Sequence, residues 1–178
     1  MALALSQHLK TLTLVLGASL ALSGCGAQQA GAAAIVNDTT VRHQDIVISE
    51  KDVQSVPEEL NALVQAGQEL KVSDALLSLI LAPYVLDEAK RVGKTVSPSE
   101  ARKVIAKVAD PSPSTIMFVQ MQLAIQKLDQ ASKTLIVDEL GKVKITVNPR
   151  YGAFDVTKIA LTPISPNWIK VSAPSPAK

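Results

Sequence analysis

The chain has 178 residues, of which 47% are hydrophobic and 3% aromatic, with 18 basic and 16 acidic side chains. This near balance of charge argues against a nucleic-acid partner, which requires a strongly basic face. The single cysteine excludes an internal disulfide, and the length predicts one folded domain.

Residues 1–24 have the pattern of a secretory signal peptide. Lys10 precedes an apolar run over 12–22, which is shorter than the ~20 residues that span a bilayer but fits the ~7–15-residue apolar core of a signal peptide. The run ends in LSGC, whose last residue is Cys25. This ending resembles the lipobox of bacterial lipoproteins.

The lipobox resemblance implies cleavage before Cys25 and attachment of a diacylglyceryl group and fatty acyl chains such as palmitate to that residue. We therefore expect a lipid anchor on the extracytoplasmic face of the cell membrane. An ordinary secretory signal followed by a chance cysteine is the alternative interpretation. Residues 25–32 are small and polar, and we interpret them as a flexible tether.

The folded domain is predicted over 33–157, and it begins with short extended segments. Residues 34–36 favour a strand, residues 37–40 favour a turn, and residues 41–47 favour a second extended piece.

Apolar residues at helical spacing then predict four or so helices. The first begins at Ser49 and is interrupted at Pro57, because proline lacks the amide hydrogen that a helix interior needs. The second is capped by Ser73, kinked at Pro83 and ended by Gly93. Its apolar residues cover most of its circumference, which predicts a central position in the fold.

The third helix has the clearest local signal in the chain. Ser97 is the predicted N-cap, Pro98 takes the first helical position and Glu100 completes a capping box. The helix is expected to end before Pro111.

The C-terminal part changes from helical to strand periodicity. A longer helix is predicted to start at Ser112 or Ser114 and to run to about Ala131, while residues 135–140 fit a helix or a strand. Residues 143–147 alternate apolar and polar side chains, which predicts a half-buried strand.

The predicted fold class is mainly α with a small β element, closed by pairing of the N-terminal and C-terminal strands. Residues 158–178 contain four prolines and are predicted to form an irregular, partly disordered tail.

Three stretches resemble the N-terminal domain of the SurA family, which includes periplasmic chaperones and PrsA-like foldase lipoproteins, with trigger factor as a more distant relative. They are AAIVN with the segment after it (33–46), LILAPYVLDEAKRVGKTVSPSEARKVI (79–105) and VKITVNPRYGAF (143–154). The third stretch, with its Pro-Arg-Tyr-Gly turn, is associated with actinobacterial lipoproteins of this type. The resemblance covers most of 33–155 and implies a peptide-binding helical domain.

The chain departs from the family in having no room for the parvulin domain of its prolyl isomerases. His43 is the only histidine after the signal, so a parvulin active site cannot be assembled. We read His43 as a surface residue rather than a metal ligand or a base, and the carboxylate pairs at 58–59 and 87–88 as solvated helix faces. We expect no enzymatic activity, no cofactor and no metal site.

Candidate peptide-binding residues are Met117, Phe118, Met121 and Tyr84. Methionine is adaptable and common at promiscuous binding surfaces, although these side chains equally suit core packing. Trp168, the only tryptophan, either docks on the domain or contacts a partner.

These expectations together predict a membrane-anchored lipoprotein that binds unfolded exported polypeptides as a chaperone or holdase, without isomerase activity. The alternative is a structural or assembly module that docks one specific protein of the cell envelope.

Overall fold

The computed structural model describes residues 30–164. Cys25, the signal segment and Trp168 lie outside these residues. Within them the protein is mixed α/β, with five α-helices and two small antiparallel sheets. In chain order the elements are β1 (Ala32–Asn37), β2 (Ile46–Ser49), α1 (Glu50–Leu60), α2 (Val72–Arg91), α3 (Pro98–Val104), α4 (Pro113–Lys127), α5 (Gln130–Leu140), β3 (Lys144–Val147), β4 (Ala153–Asp155) and β5 (Ala160–Thr162).

The larger sheet has the strand order β2-β1-β3, and both pairings are antiparallel. Val36 in the central strand lies opposite Ile46 on one side and Ile145 on the other. Ala34, Val36 and Ile48 are buried on the inner face of the sheet. The predicted pairing of the N-terminal strand with a C-terminal strand is therefore present.

Helix α2 is the centre of the helical layer, as its apolar circumference predicted. It packs against α1, α4 and α5, while α4 also packs against α1 and α3. Leu76, Leu79, Ile80 and Tyr84 are among the largest side chains that are fully buried.

The predicted interruption of the first helix is wrong, because Pro57 lies inside a continuous α1. Ser49 is the N-cap, and its hydroxyl accepts from the Asp52 amide at 3.1 Å. A proline inside a helix costs about 3 kcal/mol. Burial of Val53 and Val56, at about 1.5–3 kcal/mol for each such side chain, offsets that cost.

The start of α2 also differs from the prediction. Lys71, rather than Ser73, is the N-cap, and its carbonyl accepts from the amides of Asp74 (3.1 Å) and Ala75 (3.0 Å). Gly93 lies just past the helix end with a φ of +70°, a left-handed conformation that favours glycine. It ends the helix as predicted.

The predicted capping box of α3 is confirmed. The Glu100 amide donates to the Ser97 hydroxyl at 3.2 Å, and the Ser97 amide donates to the Glu100 carboxylate at 2.7 Å. Pro98 occupies the first helical position.

The single helix predicted from Ser112 or Ser114 to about Ala131 is two helices. Ser112 caps α4 by accepting from the Thr115 amide at 3.3 Å. Asp129 caps α5 by accepting from the Ser132 amide at 2.9 Å. The residues that fitted a helix or a strand, 135–140, are helical.

Strands β4 and β5 form a hairpin that extends into the predicted irregular tail. Gly152, with a φ of +103°, lies so close to the hairpin that an added Cβ would be 2.4 Å from the Thr162 carbonyl oxygen. Only glycine fits this position. The folded part of the described chain therefore reaches Thr162 rather than ending at residue 157.

Candidate binding groove beside strand β2

The four predicted peptide-binding residues are not brought together at one open cleft. Tyr84, Phe118 and Met121 are 1%, 8% and 4% exposed. Because α4 is covered by helices on several sides, Phe118 and Met121 pack in the core. Phe118 and Met121 are therefore core residues in this conformation, which corrects their predicted role, whereas Tyr84 borders a separate, polar cavity. Met117 lines an apolar surface groove.

The groove has a volume of about 230 Å³. It is bordered by three stretches of the chain, 46–52, 79–83 and 113–117. Its lining residues are Ile46, Val47 and Ile48 of β2, Leu79 and Pro83 of α2, Pro113, Ser114 and Met117 of α4, and Asp52 of α1. Successive strand side chains point to opposite faces of a sheet. A groove that touches three successive residues of β2 therefore runs along the edge of the strand.

That edge has no strand partner among residues 30–164, because β2 is the outermost strand of its sheet. Val47 is 47% exposed there, and Ile48 beside it is 4% exposed. An unpaired strand edge presents backbone N–H and C=O groups that can pair with another extended chain.

A cluster of hydroxyl groups fixes α1 against the start of α4 and so holds one wall of the groove. Ser55 and Ser114 are hydrogen-bonded at 3.0 Å, and the Ser112 hydroxyl donates to the Ser55 hydroxyl at 3.2 Å. The Ser112 amide donates to the Glu59 carboxylate at 3.0 Å. Met117 is therefore presented from a helix whose first turn is firmly positioned.

Tyr84 has a structural role. Its hydroxyl donates to the fully buried carboxylate of Asp38 at 2.8 Å. The amides of Val41 and Arg42 donate to the same carboxylate at 2.8 and 3.0 Å. Burial and then the bond to Asp38 raise the pKa of Tyr84.

The pKa of Asp38 is set by two opposing effects. Burial raises it, but the hydrogen bonds from Arg42, Val41 and Tyr84 outweigh burial and hold the pKa below its ordinary value. Asp38 is therefore a charged, hydrogen-bonded anchor for the loop after β1.

A second cavity has a volume of about 310 Å³. It is lined by Tyr84 and Val41 and by the charged side chains of Arg42, Asp87, Glu88, Arg91 and Glu139. Arg42 bridges the Pro83 carbonyl at 3.1 Å and the Asp87 carboxylate. The Arg91 guanidinium holds Glu88 through two bonds of 2.6 Å. Glu88 is buried, so the predicted solvated helix face is wrong for this residue. These charges pair mainly with one another.

Glu139 of α5 also lines this polar cavity. Burial first, and then the negative charge of Glu88, raise its pKa above the ordinary value. A carboxyl group with a raised pKa takes up a proton at a higher pH than a solvated carboxyl group does.

His43 lies in an exposed turn and has a φ of +55°. Its Nδ1 is 2.7 Å from the Thr39 carbonyl oxygen. Across residues 30–164, no group of three histidine, cysteine, aspartate or glutamate side chains is arranged to hold a metal ion. In the same range no helix is both long and apolar enough to cross a membrane.

No family model, curated protein or solved structure matches this chain.

Proposed function

We propose that this protein is a lipid-anchored extracytoplasmic holdase, which binds extended segments of unfolded exported polypeptides and has no isomerase activity. The observation that carries the proposal is the apolar groove along the unpaired edge of β2. The lipid would be attached to Cys25, and a SurA-like order of strands and helices is part of the same proposal.

An extended peptide can add to a sheet edge by backbone hydrogen bonds, while a neighbouring pocket receives alternate side chains. The edge of β2 and the groove beside it offer both features. Backbone pairing is independent of sequence, and the flexible thioether of Met117 adapts to differently shaped side chains. This combination suits a protein that accepts many clients.

The polar cavity near Tyr84 gives less support for a function. Its arginines are engaged by Asp87 and Glu88. Arg42 links the loop after β1 to α2, and Arg91 pairs with Glu88 of the same helix.

The test replaces Met117 with lysine in the full chain. We expect the wild-type protein to slow aggregation of a chemically unfolded client, and Met117→Lys to lose most of that effect, because a charge in the groove opposes burial of apolar client side chains. The measurement is light scattering of the client at a fixed molar ratio.

The matched control is Val104→Lys, since Val104 is 62% exposed on α3 and does not line the groove. Urea unfolding of both variants separates loss of binding from loss of fold. Full holdase activity in Met117→Lys, or none in the wild type, would contradict the proposal. A crosslinking pull-down dominated by one stoichiometric envelope protein would instead support the assembly-module alternative.

A further inference from the structure

A second apolar pocket lies on the other side of α2, at the turn of the β4–β5 hairpin. It has a volume of about 190 Å³, and its walls come from α2, α4, α5 and the hairpin. The principal wall residues are Leu81, Val85, Ile125, Ile136, Leu140 and Ile159. We infer that this pocket is the docking site for the chain's own C-terminal segment, with Trp168 as the side chain that fills it.

The position of the hairpin makes this occupant reachable. Ile159 lines the pocket, and β5 follows it directly, ending at Thr162 beside α2. Three strand residues carry the chain ~10 Å from the pocket. The six residues from Thr162 to Trp168 can span ~20 Å, which is enough for the indole to return.

The backbone at Ile159 shows that the hairpin is held against this pocket. Ile159 has a φ of +48°, a conformation that is strained for a β-branched residue and persists only where surrounding contacts impose it. Its side chain packs against the core. The packing of Ile159 therefore keeps the turn of the hairpin at this pocket.

The chemistry of the pocket suits an indole. Its wall is apolar except at Lys133 on α5. An ammonium group is attracted to the face of an aromatic ring. Pro163 and Pro166 restrict the intervening segment, which lowers the entropy lost on docking.

The test uses the fluorescence of Trp168, which is the only tryptophan in the chain. In the native full chain we expect emission at a shorter wavelength than that of N-acetyltryptophanamide, and a several-fold lower acrylamide quenching constant. Both differences should disappear in urea.

Two variants on α5 locate the contact. Val137 lines the pocket and is 40% exposed, whereas Leu135 is 44% exposed and does not line it. We expect Val137→Glu to shift the emission towards that of the hydrated indole and to raise the quenching constant several-fold, while Leu135→Glu leaves both unchanged. Far-UV circular dichroism confirms that each variant is folded.

Three results would overturn the inference: hydrated emission in the native full chain, an emission shift that depends on protein concentration, or equal effects of the two variants. The concentration dependence would assign the pocket to a second copy of the chain. The proposal does not rest on holdase activity, because the emission of Trp168 is read without any client.

Discussion

At the scale of single residues, the most informative contact is the one between Tyr84 and Asp38. The sequence places Tyr84 on an apolar helix, where its ring could serve a ligand or the core. The structure buries the ring and directs its hydroxyl to a carboxylate 46 positions earlier in the chain. The sequence predicts only a turn at Asp38. Nothing near it in the chain indicates that three hydrogen-bond donors converge on its carboxylate.

We predict that Tyr84→Phe lowers the free energy of unfolding by about 1.5–3 kcal/mol, the usual range for a hydrogen bond to a charged group. The variant keeps the ring and removes one of the three donors to Asp38. The measurement is the urea unfolding midpoint at neutral pH.

Tyr151→Phe is the matched control, because the Tyr151 hydroxyl is buried with no hydrogen-bond partner among the described residues. Removing a group that is buried and unsatisfied should leave stability unchanged or raise it. Equal losses in the two variants would show that the bond to Asp38 has no special weight.

At the scale of elements, the sequence predicted the side-chain N-caps of α1, α3 and α4, but not the start of α2 or the boundary between α4 and α5. The capping box at Ser97 and the caps at Ser49 and Ser112 use side-chain bonds within three residues, and such local signals are readable in the sequence. The boundary between α4 and α5 was missed, because the apolar stripe continues through the buried Leu128. The Asp129 to Ser132 spacing was the available signal for that boundary.

We predict that Asp129→Ala costs about 1 kcal/mol of stability, the typical loss for removal of an N-cap side chain. Asp129→Asn should retain most of the stability, since asparagine caps as well as aspartate. Chemical unfolding of the three proteins under one condition measures the difference. An asparagine variant as unstable as the alanine variant would indicate that the charge, rather than the cap, matters.

The groove was only partly predictable for a different reason. The sequence identified Met117 and an extended segment that includes Ile46 and Val47. It could not show that β2 would be an edge strand or that Pro113 would lie beside it. The groove joins segments more than 60 positions apart, and their arrangement follows from the packing of α4 on α1 and α2.

At the scale of the whole molecule, the polar cavity links the loop after β1, helix α2 and helix α5 through Arg42, Glu88 and Glu139. The raised pKa of Glu139 means that the folded state binds its proton more tightly than the unfolded state does. Its contribution to stability is therefore fully present below about pH 4 and is lost as the pH rises through the raised pKa.

We predict that Glu139→Gln is more stable than the wild type at neutral pH and that the difference vanishes below about pH 4. The neutral amide removes first the cost of burying the charge, and then the repulsion by Glu88 and Asp87 that the charged form experiences. Thermal unfolding across this pH range provides the measurement.

Asp138→Asn serves as its control, since Asp138 is an exposed neighbour on the same helix. A pH-dependent gain of the same size in that variant would mean that general charge reduction, and not the cavity, is responsible.

The central position of β1 has a mechanical consequence. If Cys25 carries the lipid, the chain up to Ala32 can span no more than ~25 Å, so the domain is held close to the bilayer. A pull directed along β1 would then act against the ladders to β2 and β3 at once. Strands loaded in this direction yield by shearing many hydrogen bonds together rather than by unzipping them one after another. Under that proposal, the anchored end of the chain would enter the fold through the central strand of its larger sheet.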